Sequence, residues 1–117
     1  MPGPKRPNVI LIMTDNQPKD LLGCYGNTEI YSPRLDQMAQ EGVRFNNAYC
    51  PNAMCSPCRA SVWTGRMPCQ HGVHTWIDDR QRPNWPDNWN AVAEFETLPE
   101  TLKKNGYGKY LLNMIKK

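Results

Sequence analysis

Pro7-Asn8-Val9-Ile10-Leu11-Ile12-Met13-Thr14-Asp15-Asn16-Gln17 is the stretch on which the fold of this chain turns. From Asn8 to Thr14 the run is apolar and does not alternate. A strand with one wet face alternates, so this one is expected to be covered on both faces, as in an α/β sheet. Asp15-Asn16-Gln17 and Pro18 stop it. In open α/β sheets, ligands bind beyond the carboxyl ends of the strands. Asp15 and Asn16 stand at such a place and offer hard oxygen atoms suited to Ca2+ or Mg2+. On this pattern alone, an ordinary Asp-Asn turn is the commoner outcome.

Outward from that run, residues 1–7 hold three prolines and a glycine and read as a lead-in. Ser32-Pro33 opens a helix, with serine as N-cap and proline in the first turn. Leu35, Met38 and Ala39 share one face of it, and Gly42 closes it. Val43 to Tyr49 is a second strand candidate. Ser56-Pro57 starts another helix, which runs to Thr64-Gly65. Residues 78–90 are rich in Pro, Asn, Asp and Trp, without a period, and read as a surface loop. Thr97-Leu98-Pro99-Glu100 is a capping-box pattern before a helix over Leu98 to Lys104, which Asn105-Gly106 stops. Alternating strands and helices point to an α/β class, with no internal repeat.

Composition narrows the class further. The 117 residues are 39% hydrophobic and 21% charged, which suits a globular domain. The 14 basic and 11 acidic side chains leave a net charge of +3. The basic residues are scattered, so neither a nucleic-acid stripe nor a membrane partner is expected. The apolar run at Val9–Met13 is too short for a signal-peptide core or a membrane span. As written, the chain is expected to be cytoplasmic, or periplasmic or secreted if its start is misassigned. Five cysteines, an odd count without a leader, do not suggest a disulfide framework.

The second informative stretch is Cys55-Ser56-Pro57-Cys58-Arg59-Ala60-Ser61-Val62-Trp63-Thr64-Gly65-Arg66. Pro57 suits a helix that begins there, which would put Cys55 just ahead of its N-terminus. Free N–H groups and the positive end of the helix dipole favour an anion at that place and a thiolate. Arg59, about one turn in, could reach back with a planar fork matched to sulfate or phosphate. On these residues alone, a packed cysteine beside a surface arginine is about as good a reading.

The same stretch resembles the sulfatase signature, Cys-x-Pro-x-Arg followed by Thr-Gly-Arg. Pro7 to Gln17 is similar to that family's opening strand and metal-binding turn. Leu22 to Asn27, Gly42 to Phe45, His71-Gly72-Val73 and Leu98 to Leu102 before Gly106-Tyr107 also match, in order. The resemblance implies the N-terminal part of an alkaline-phosphatase-like sulfatase fold, helices packed on a large mixed sheet and incomplete here. It divides the chain into the lead-in 1–7, a catalytic-domain segment 8–107 and a divergent tail 108–117.

What the resemblance implies about chemistry transfers residue by residue. A formylglycine-generating (sulfatase-maturing) enzyme would oxidise Cys55 to formylglycine, whose hydrated form attacks sulfur while bound to a divalent cation. Arg59 would hold that diol and neutralise developing charge. Asp15 and Asn16, with the residue at Cys55, would ligate the cation, Ca2+ before Mg2+. Asn16 departs from the usual aspartate and brings one charge fewer. His71 is a candidate substrate contact or a structural residue, as is His74, and Lys109 is either the family's sulfate-contacting lysine after a deletion or unrelated to it. No histidine follows Lys109, and the family's second ligand pair has no counterpart. The implied substrate is a sulfated small molecule or carbohydrate, and the chain by itself is expected to be inactive. The alternatives are a phosphonate or phosphate monoester hydrolase of the same superfamily, or a small zinc module built on Cys55, Cys58, Cys69, His71 and His74.

Overall fold

The computed structural model describes residues 6–77 and 90–108. The chain forms two compact units, residues 1–48 and 49–117. Among the described residues the regular elements are all helical.

In the first unit, two short 3-10 turns, Lys19–Leu21 and Gly23–Tyr25, precede helix α1, Pro33–Glu41. Pro33 occupies the first helical turn, where its missing N–H costs nothing. Ser32 is the N-cap residue, as its sequence position predicts, but its hydroxyl does not cap. It accepts the Gly23 N–H at 2.9 Å and donates to the Asp36 carboxylate at 3.1 Å. Asp36 Oδ1 in turn accepts the Cys24 N–H at 2.6 Å. A serine and an aspartate one turn apart therefore clamp the second 3-10 turn onto α1. Gly23 permits the close approach, since a Cβ there would lie 2.5 Å from Asp36 Oδ2. Gly42 ends α1 by donating to the Met38 carbonyl, but the chain leaves in extended geometry rather than left-handed.

The expected strands are not observed. Residues 8–14 and 43–49 carry no strand assignment, and Ile10 and Ile12 are 81% and 77% exposed. The reason is physical: a strand's N–H and C=O groups are satisfied only by neighbouring strands. No described segment pairs with this run, so its apolar side chains find no cover. The sheet of the expected α/β architecture is thus absent among the described residues.

In the second unit, helix α2 spans Cys55–Thr64, α3 Pro68–His71 and α4 Leu98–Lys104. α2 packs against both α3 and α4. Its buried residues are Pro57, Ala60 and Ser61, which the 3.6-residue period places on one side. Val73 adds a further apolar group to this small core, where His71 is also buried. Gly65 and Gly72 end α2 and α3 in left-handed geometry, φ 66° and 75°, where a Cβ would be strained. At the start of α4, Glu100 accepts the Thr97 N–H at 2.7 Å, as the capping-box pattern predicts, and it also accepts the Thr97 hydroxyl at 2.9 Å. Glu96 then pairs with Lys104 at 2.8 Å, which holds the exposed Glu96 carboxyl below its ordinary range.

Candidate active site

Cys55 is the first residue of α2, two positions before Pro57. The Met54 N–H is held by the Asn52 side chain at 2.8 Å, and the first ladder bond runs from the Cys58 N–H to the Met54 carbonyl at 3.1 Å. Pro57 therefore falls within the first turn, where no helical acceptor awaits its nitrogen. Cys55 is exposed, and Arg59 follows four residues on, along the same side of the helix. Cys55, Arg59 and Val62 lie opposite Pro57, Ala60 and Ser61 around the helix axis. One face is thus fixed inward and the other carries a sulfur, a guanidinium and a helix N-terminus.

Cys58 sits on the flank of this face and is half-buried. Burial pushes its thiol up from the ordinary range, and a hydrogen bond with Cys50 pushes it further, against the opposing pull of Arg59. A thiol raised in this way is less often ionised at neutral pH.

His71 is only 4% exposed. Its Nδ1 accepts the Val73 N–H at 3.1 Å, and its Nε2 lies 2.9 Å from Ser61 Oγ. Both ring nitrogens are therefore engaged within the chain. His74 is exposed. Ser56 Oγ accepts the Ile77 N–H at 3.0 Å. Neither Ser56 nor Ser61 stands out when the sequence is read as a signature. A polar residue at the apolar spacing Pro57, Ala60, Ser61 was the available signal, because a buried hydroxyl needs a partner.

Asp15 and Asn16 belong to the first unit and are exposed. Asn16 adopts φ 51°, a left-handed conformation that asparagine tolerates better than other side chains with a Cβ. A carboxylate and a carboxamide in sequence are hard oxygen donors, a set that fits Ca2+ or Mg2+. Among the described residues, no three His, Cys, Asp or Glu side chains gather as a metal site. The zinc reading therefore draws no support from Cys55, Cys58, Cys69, His71 and His74. Lys109 lies outside the described residues. An open cleft of about 540 Å3 in the first unit is lined by Lys19, Tyr25 and Arg44 among others, and by none of the predicted site residues.

A family model described as Sulfatase matches residues 7–116. The chain is 39% identical over 106 residues to N-acetylgalactosamine-6-sulfatase of Homo sapiens, covering 89% of this chain and 20% of that protein. It is 35% identical over 104 residues to N-acetylglucosamine-6-O-sulfatase of Bacteroides thetaiotaomicron, covering 88% and 16%. It is 37% identical over 103 residues to an ulvan-active sulfatase of Formosa agariphila, covering 88% and 18%. The chain thus spans about a fifth of the length of the curated relatives it matches. No solved structure matches it significantly.

Proposed function

The chain belongs to the sulfatase family, and from that premise we propose that it carries the nucleophile segment of a sulfuric ester hydrolase, with Cys55 as the precursor of formylglycine. The observation that carries the reading is the outward face of α2: Cys55 at its first residue, Arg59 one turn on, and the opposite face buried. A helix start favours negative charge at residue 55, and Arg59, one turn on, brings a planar positive group to the same side of the helix.

The chemistry assigned to these residues balances as follows. The aldehyde at 55 takes up water to give two hydroxyl groups. One oxygen attacks the sulfur of the ester, the bond from sulfur to the alcohol oxygen breaks, and the alcohol leaves with a proton. The second hydroxyl then loses its proton, the carbon–oxygen bond to the sulfate breaks, and the aldehyde returns. The net change is hydrolysis of one sulfate ester by one water. Asp15 and Asn16 would hold a divalent cation, Ca2+ before Mg2+, which when bound supplies positive charge. Arg59 orients the sulfated residue and offsets charge on the sulfuryl oxygens. A fixed donor in that role contributes about 3 kcal/mol.

The named relatives act on sulfated amino sugars or ulvan, so a sulfated carbohydrate is the proposed substrate class. Co-expression with a sulfatase-maturing enzyme, followed by mass spectrometry of the peptide spanning residue 55, tests the proposal. The expected result is an aldehyde in place of the thiol at Cys55 and an intact thiol at Cys58. An unmodified Cys55 under conditions that convert a control sulfatase would overturn it.

A further inference from the structure

We propose that Ser61 and His71 are positioning residues: with Ser56 they strap the 71–77 segment along α2 and set the rotation of the helix that carries Cys55 and Arg59. The importance of that rotation rests on the function proposed above; the strap itself does not.

The inward face of α2 is made of Pro57, Ala60 and Ser61, all small. Small side chains bury little area and interdigitate weakly, so packing alone fixes the helix rotation poorly. A slip of one residue would turn every side chain by about 100° and carry Cys55 off its face. A directional hydrogen bond resists such a slip, whereas apolar contact hardly does.

The structure supplies that bond in a defined chemical form. The Val73 N–H points at His71 Nδ1, 3.1 Å away, so Nδ1 must be the acceptor. The ring proton then resides on Nε2, which donates to Ser61 Oγ at 2.9 Å. The imidazole is 4% exposed, so water does not replace either partner. A second tie lies nearer the helix start, where Ile77 N–H donates to Ser56 Oγ at 3.0 Å. The strap therefore runs antiparallel to α2, gripping it at two serines five residues apart, on either side of Cys58 and Arg59. Gly72, at φ 75°, turns the chain from α3 into the strap.

This assignment separates His71 from substrate contact. A histidine that binds sulfate needs a ring N–H directed at the ligand, and both nitrogens of His71 are already committed within the chain.

The test uses the full 117-residue chain labelled with 15N. The His71 ring should show the Nε2–H tautomer, with a proton that exchanges slowly. Ser61→Ala removes the acceptor while leaving a side chain that fits, and should speed amide exchange in α2 about tenfold. Ser61→Thr keeps a hydroxyl and should restore most of the protection. Amides of α4 should change less than those of α2. An Nδ1–H tautomer, an unprotected α2 in the parent chain, or equal loosening of α4 in Ser61→Ala would each overturn the assignment. Failure of Cys55 to become formylglycine would instead remove the proposed function and leave these readouts unchanged.

Discussion

Replacing Gly23 by alanine tests the clamp that joins the second 3-10 turn to α1. Two effects oppose each other. Gly23 lies outside the left-handed region, so alanine would by itself stabilise by about 0.4–1 kcal/mol through a less flexible unfolded chain. Against that, the new Cβ would lie 2.5 Å from Asp36 Oδ2 and 2.9 Å from its Cγ. A free carboxylate would swing away cheaply, but this one is held by the Cys24 N–H and the Ser32 hydroxyl. Moving it forfeits at least one hydrogen bond to a charged acceptor, about 1.5–3 kcal/mol. The steric term wins, and Gly23→Ala should destabilise the local unit by about 1–2 kcal/mol. Native-state hydrogen exchange at the Asp36 and Gly42 amides, both bonded into α1, reports the opening free energy directly. A double-mutant cycle with Asp36→Ala isolates the cause. In that background the clash has no target, and Gly23→Ala should become neutral or slightly stabilising. An equal cost in both backgrounds, or stabilisation in the parent, would refute the clamp.

Three further outcomes follow from the same geometry. In a complete, matured form of the enzyme, Arg59→Ala should lower kcat on an aryl sulfate by about 100- to 1,000-fold, and Arg59→Lys should recover only part, because a point charge lacks the planar fork. Since burial and then Cys50 raise the Cys58 thiol, Cys58 should alkylate more slowly than exposed Cys69 at neutral pH, gain reactivity only as pH rises past the ordinary thiol range, and react faster in Cys50→Ala; peptide-resolved mass spectrometry reads all three. Asn16→Asp keeps a side chain that tolerates φ 51° and adds one negative charge, so calorimetric titration should show Ca2+ binding about tenfold tighter; unchanged affinity would argue against a cation at this turn.

What could be read from the sequence was local chemistry. Ser32-Pro33, Thr97 with Glu100, and Gly65 predict helix ends because capping, proline geometry and left-handed glycine act within a few residues of themselves. The order of motifs from Pro7 to Tyr107 carried the family, and the match over residues 7–116 agrees. The tertiary structure decided what depends on residues far apart in the chain. Val9 to Met13 is apolar enough for a buried strand, but pairing belongs to two segments, and no described segment pairs with it. Ser32 sits at the predicted cap position, yet its hydroxyl goes to Gly23 and Asp36, because the 3-10 turn brings better partners within reach. His71 in its His-Gly-Val context left substrate contact and a structural role both open. The structure buries it on Ser61, ten residues back, because α3 folds against the small-residue face of α2 and a hydroxyl enclosed there requires a donor or acceptor.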